Sequence, residues 1–331
     1  MNAHRLALPL LGGAVLSFVV GCGSSDADLG LGNGGSGSSA SSASGGSGGA
    51  GGSAGSGGTG GEGVGGNGGG NGGSGGEAGA GGGGTTEKFS FFVTSLRALQ
   101  ELSGNAEGFG GDLRFGETGA GAGLRGADKI CATIAEKSMP GAGQKPWRAF
   151  LSATAGEDGQ QVDAKDRIGE GPWYDRLGRL LAANKTDLLN ERPAGADAAI
   201  VNDFPNEDGV PNHQPDPNQG QVDNHDMLTG TNAQGTLYSA TATCKDWTSN
   251  LGDLASEGRP RVGHSWPRFG GGGGPGPGGG DGSMANWMSS LNESGCAPGV
   301  NLIEMGGPQP GAVTVGSGGG YGGFYCFSLV P

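Results

Sequence analysis

Apolar positions between residues 87 and 331 fall into short bursts separated by glycine, proline and acidic residues, with no long periodic run. The first burst, Phe89-Ser90-Phe91-Phe92-Val93-Thr94-Ser95, is rich in aromatic and β-branched residues and predicts a strand. A glycine-rich loop is expected from there to about Leu124. Ala127, Ile130, Cys131, Ile134 and Ala135 then recur at helical spacing until Pro140-Gly141, which predicts a helix with Cys131 on its inner face. Residues 145–152, KPWRAFLS, read as a strand with alternate positions buried. Residues 163–182 and 184–190 read as hairpins and irregular loops. Residues 202–226 are polar and acidic with four prolines, and predict a surface loop. A strand-turn-strand pattern over 228–249 leads into Cys244. His264-Ser265-Trp266 reads as a loop whose Trp266 packs inward, 270–282 is a Gly/Pro-rich insertion, and GYGGFYCFSLV predicts a closing strand. The mixture makes the fold class α+β.

Composition changes the picture upstream. The chain has 331 residues and 80 glycines, and the glycine is concentrated in residues 23–86, which contain no Lys, Arg or aromatic residue. Such a stretch cannot bury enough apolar surface to offset its ordering entropy. It is expected to be a disordered tether with a root-mean-square reach of about 40–50 Å. Chance motifs arise inside it: Gly45-Gly46-Ser47-Gly48-Gly49 satisfies a nucleophile-elbow pattern with no strand-turn-helix around it. Before the tether, Arg5 precedes an apolar run over residues 6–20, too short for a comfortable membrane span and suited to a signal peptide. Its end, Val19-Val20-Gly21-Cys22, resembles the lipobox of bacterial lipoproteins. That resemblance implies a signal peptide over 1–21, acylation of Cys22, and membrane attachment through the lipid. Gly23, where an Asp would act as a retention signal, implies the outer membrane.

Cysteine usage sets the compartment. With Cys22 assigned to lipid, Cys131, Cys244, Cys296 and Cys326 remain, an even number that reads as two disulfides in an exported chain, with three possible connectivities. No paired C-x-x-C spacing supports zinc on cysteine. The formal net charge of −13 argues against nucleic acid and other polyanions as partners.

Seven segments stand in a familiar order: FFVTS, GADKICATIAE, KPWRAFLS, DRIGEGPWYDRLGRLLA, LTGT with TCKDWTS, GCAPGVNL and FYCFSL. Together they resemble the endostatin-like branch of the C-type-lectin-like fold, as found in bacterial lipoproteins. The resemblance implies one C-type-lectin-like domain over 87–331 with irregular loops and nested disulfides, Cys131 to Cys326 and Cys244 to Cys296. Sugar-binding lectins of this fold use calcium beside an E-P-N or Q-P-D triplet. Gln214-Pro215-Asp216 spells the latter but lacks the companion W-N-D, so no cofactor is expected. Asp203, Asp208 and Asp216 stay the weak calcium candidates in a loop without a complete calcium-binding pattern. His213 and His225 share that loop with Asp223 and Asp226, residue types that a surface zinc site would use, but isolated loop histidines are more often unliganded and no zinc is expected there.

The expected function is therefore that of a lipid-anchored, non-catalytic binding module for a glycan or protein ligand at the cell envelope. Its contact face is expected around Trp173 and Tyr174 with Asp223, His225 and Asp226, aromatic platforms beside oxygen-rich loops. The alternatives are an envelope hydrolase acting on polysaccharide or peptide, and a purely structural lipoprotein. For the hydrolase, His264 beside Ser265 and Glu170 near Asp175 are the residues with suitable chemistry.

Overall fold

The last strand organises the domain. Gly320-Tyr321-Gly322-Gly323-Phe324-Tyr325-Cys326-Phe327-Ser328 has small residues at its start and an aromatic block at its end, and every one of its nine positions is buried. Such continuous burial belongs to a strand flanked on both edges and covered on both faces. In the computed structural model the described residues are 88–213, 222–267, 285–303, 309 and 311–331. The signal segment 1–21, Cys22 and the 22–86 tether lie outside them, as do Gln214-Pro215-Asp216 and the 270–282 insertion.

The elements run β1 (Phe91–Val93), α1 (Leu96–Ser103), α2 (Ala122–Ser138), β2 (Trp147–Ala149), α3 (Ala164–Arg167), β3 (Trp173–Tyr174), β4 (Leu180–Ala182) and α4 (Lys185–Leu188). After these come β5 (Asp226–Leu228), α5 (Cys244–Trp247), α6 (Leu254–Glu257), β6 (Arg261–His264), β7 (Leu291–Asn292) and β8 (Gly320–Ser328). The class is α+β. One six-stranded sheet has the order β1-β8-β5-β6-β7, with β2 also paired to β8, and β3 and β4 form a separate hairpin. Cys326 of β8 stands opposite Phe92 of β1 and opposite Ala149 of β2, both antiparallel. Farther up the strand, β5 runs parallel to β8 and antiparallel to β6. Among the described residues no helix is long and apolar enough to cross a membrane.

Both disulfides implied by the resemblance are present. Cys131, fully buried on the inner face of α2, joins Cys326, and Cys244 joins Cys296. The first crosslink fixes α2 to the sheet centre. The second holds α5, a single turn in which Cys244, Lys245, Asp246 and Trp247 all have φ between 47° and 63°. Four consecutive non-glycine residues in the left-handed region are disfavoured by roughly 1–2 kcal/mol each. The turn survives because its side chains are tied down. The Asp246 carboxylate accepts hydrogen bonds from the Thr154 amide and hydroxyl and from the Ala155 amide, and the Trp247 indole donates to the Ser152 carbonyl.

The core is aromatic. Phe91, Phe150, Phe204, Trp287, Tyr325 and Phe327 interlock with ring centroids 4.7–6.5 Å apart. Trp287 sits at the middle of this cluster, and its indole N–H reaches the carbonyls of Leu188 and Asn190, each at 3.1 Å.

Several expectations need correction. The loop expected after the first strand contains α1, capped by the Ser95 hydroxyl accepting from the Ala98 amide and closed by Gly104 in the left-handed region. Its apolar stripe is too short, with Ala98 and Leu99 as its buried residues, to stand out from the glycines that follow. The segment 202–226 is not a surface loop throughout: Phe204, Pro205, Asn206 and Glu207 are buried, and its last residues enter the core as the start of β5. His264 ends strand β6 instead of lying in a loop.

Candidate functional site

Trp173 cannot serve as an exposed platform. It is fully buried in β3, its ring edge-on to Phe327 with centroids 5.6 Å apart. Tyr174, its neighbour on the opposite side of the strand, is half-buried with Lys88 Nζ 4.7 Å above its ring. Asp223, His225 and Asp226, expected on the same contact face, are buried as well. The reason lies in the sheet: β5 is hydrogen-bonded on both edges, by β6 and β8, so the residues entering it leave solvent.

These three residues belong to a cluster that strand register assembles. Asp226 pairs directly with His264 across the β5–β6 ladder, and cross-strand partners share one face. His264 Nε2 lies 3.0 Å from Asp226 Oδ1, and His225 Nε2 lies 3.4 Å from the same oxygen. The two imidazoles stand at 89° with centroids 4.0 Å apart. On its other side His225 Nδ1 meets Asp223 Oδ1 at 2.6 Å. A third carboxylate closes the group. Glu293 Oε2 accepts from the Ser317 hydroxyl and the Gly318 amide. Burial, followed by the charge of Asp226, holds the Glu293 carboxyl well above the usual carboxylate range.

Two glycines permit this density of charge. A Cβ at Gly318 would stand 2.6 Å from Asp226 Oδ2, and one at Gly319 would stand 2.3 Å from Asp223 Oδ1. Gly319 also has φ of +124°, a conformation that side chains rarely adopt. The turn into β8 therefore has to be glycine for the carboxylates to approach its backbone. Above the cluster, Arg192 donates to the carbonyls of Val201, His264 and Ser265 while its guanidinium stacks 4.1 Å over Phe204. Burial lowers its pKa to about 10, which still leaves it cationic at neutral pH.

The weak calcium candidates do not converge. Asp203 accepts the His213 amide, Asp208 is exposed and pairs with Arg97, and Asp216 lies outside the described residues. Among the described residues the metal-ligating side chains that gather are His225, Asp226 and His264, all buried. The hydrolase residues do not pair either. His264 Nε2 turns to Asp226 while Ser265 Oγ accepts a hydrogen bond from Asn212 Nδ2. Glu170 is exposed and pairs with Lys185, whereas Asp175 is buried and pairs with Arg179.

An open cleft of about 400 Å³ is the other candidate. Phe109 and Phe115 form its half-buried apolar part, edge to face at 5.9 Å, and Asn105, Asp112, Arg114 and Asn250 surround them. Phe115 has φ of +46°, and non-glycine residues held in the left-handed region gather at ligand-contacting sites. The volume lies in the range of small-ligand sites. Nothing in the sequence marked Phe115, because a left-handed backbone at a non-glycine residue leaves no local signature.

Away from both sites, Glu207 carries a pH dependence. It is buried and accepts hydrogen bonds from the Ser95 amide and hydroxyl, yet burial outweighs them and raises its pKa. A carboxyl whose folded pKa exceeds its unfolded one contributes stability that is complete below the unfolded value and lost as pH rises through the folded value. Acidifying from pH 7 to 5 is therefore expected to raise the stability of the wild-type chain relative to Glu207→Gln, as read by urea midpoints at each pH. A constant difference between the two proteins would refute it.

Compared with known proteins, the chain matches no family and no curated sequence.

Proposed function

We propose that the chain is an exported lipoprotein, anchored to the outer membrane through acylated Cys22. In this reading a disordered tether carries a C-type-lectin-like domain of the endostatin type that binds a glycan or protein ligand without transforming it. The observation that carries the fold reading is the nested pair of crosslinks, Cys131–Cys326 around Cys244–Cys296. Of the three connectivities open to four cysteines, it is the one implied by the seven ordered segments. The joined ends of the domain support the same reading: β1 pairs with β8, and the Ser328 amide donates to the Ser90 carbonyl.

The contact site assigned in this reading is the cleft around Phe109 and Phe115, in place of the buried Trp173 face. Half-buried aromatic rings beside asparagine, aspartate and arginine side chains offer stacking and directional hydrogen bonds, the combination that sugars and peptides both use. No cofactor enters. The test uses the chain from residue 22 onward with Cys22→Ser, which keeps it in solution, on a glycan array and in pull-down from envelope extract, with and without calcium. A ligand retained in both conditions is expected, weakened about tenfold by Phe115→Ala, since loss of an aromatic contact of about 1.4 kcal/mol corresponds to that factor. No ligand in either condition would overturn the binding reading. In cells, labelled fatty acid is expected on the wild-type chain and absent from Cys22→Ser.

A further inference from the structure

We infer that His225, His264, Asp226 and Glu293 form a closed structural site for a divalent transition metal of the zinc class, with Asp223 orienting His225. The inference is independent of what the domain binds.

The first argument is charge. Three carboxylates and two imidazoles are fully buried within one cluster. Buried ionised groups persist where they are paired or coordinate a metal. With both imidazoles neutral, Asp226 and Glu293, deprotonated on binding, supply the two negative charges that a divalent ion balances, and Asp223 stays 2.6 Å from His225 Nδ1.

Geometry gives the second argument. A tetrahedral ion with bonds of about 2.0–2.2 Å places its ligand atoms about 3.3–3.6 Å apart. The ligand-capable atoms His264 Nε2 and His225 Nε2 lie 3.0 and 3.4 Å from Asp226 Oδ1. One representative ligand atom from each of His225, Asp226 and His264 lies within 4.8 Å of the others. Glu293 brings the fourth ligand. Its Oε2 accepts from Ser317 and Gly318, and its side chain lies within hydrogen-bond reach of the Asp226 carboxylate. A Cβ at Gly318 would lie 2.6 Å from Asp226 Oδ2 and 3.3 Å from Glu293 Oε1, so the two carboxylates converge over the same backbone atom.

The third argument is the orientation of His225. A metal-bound imidazole commonly presents one nitrogen to the ion while donating the other N–H to a carboxylate, which fixes tautomer and ring angle. Here Nδ1 faces Asp223 at 2.6 Å and leaves Nε2 toward Asp226. Two imidazoles among the donors select a zinc-type ion over calcium, which takes oxygen ligands in larger number. Burial on all sides makes the site closed, as structural sites are, with no open coordination position for a reacting water.

The test is metal analysis of the chain from residue 22 onward with Cys22→Ser, purified without chelator and again after incubation with zinc. About one ion per chain is expected by inductively coupled plasma mass spectrometry. Cobalt substitution is expected to give the intense visible absorption of a tetrahedral site. Asp223→Asn is expected to weaken zinc affinity 10–100-fold in a chelator competition while the domain still folds, the usual size of an outer-shell effect. Asp226→Asn with His264→Gln should abolish stoichiometric binding, with correct disulfides verified by peptide mapping. Less than a tenth of an ion per chain after zinc incubation would overturn the site. So would an ion that the double variant retains, because it would sit elsewhere.

Discussion

Replacing Cys131 and Cys326 together by serine is expected to cost the domain about 5 kcal/mol, enough to leave it largely unfolded at 37 °C. The crosslink spans a sequence separation of 195 residues. In the chain-entropy account a loop of that length constrains the unfolded chain by about 5 kcal/mol, against about 4 kcal/mol for the separation of 52 closed by Cys244 and Cys296. Both are large beside the roughly 5–15 kcal/mol by which a folded domain is stable. Urea unfolding with tryptophan fluorescence measures the effect, since all five tryptophans lie between residues 147 and 287. The Cys131/Cys326 variant should lose more than the Cys244/Cys296 variant. The reverse order would mean that the left-handed turn at Cys244, once released, costs more than loop entropy.

The second large effect is expected at Trp287. Its ring is fully buried and touches Phe150, Phe204, Tyr325 and Phe327, with centroids 4.7–6.1 Å away. Trp287→Ala should lose about 3–5 kcal/mol, the range for truncating a core aromatic whose cavity cannot collapse. Collapse is resisted because the surrounding rings come from β8, from Phe150 just after β2, whose amide donates to the Tyr325 carbonyl, and from the segment after α4. Loss of the indole N–H also leaves the carbonyls of Leu188 and Asn190 without that donor. Trp287→Phe keeps most of the packing and should lose clearly less. Thermal unfolding of the two variants separates packing from the hydrogen bonds, and equal losses would refute the packing account.

What could be read from the sequence followed how strongly each segment constrains its own burial. The aromatic block of β8 and the helical spacing around Cys131 are local signals, and both elements are where the spacing put them. The pairing of Cys131 with Cys326 needed the ordered resemblance, because four cysteines alone allow three arrangements. The burial of 223–226 was hidden for a physical reason. Asp223-Asn224-His225-Asp226 reads as solvated on composition, and only Met227 and Leu228 immediately after it hint that a strand has begun. His264 has no local signal at all. It joins the cluster because β5 and β6 pair in a register that sets it opposite Asp226. Trp173 shows the opposite failure: an aromatic between Pro172 and Tyr174 looks exposed, but a two-residue strand gives it a buried side.

The nested crosslinks also decide what a protease can accomplish. Residues 214–221 lie between Cys131 and Cys326, and residues 268–284 lie between Cys244 and Cys296 as well. A single cut in either stretch converts one chain into two that remain covalently joined, by one bridge in the first case and by both in the second. Neither new fragment can diffuse away, and β8 stays fastened to α2. The crosslinks would thus keep a nicked domain in one piece, and a nicked form would migrate as the intact molecule until a reductant separated it.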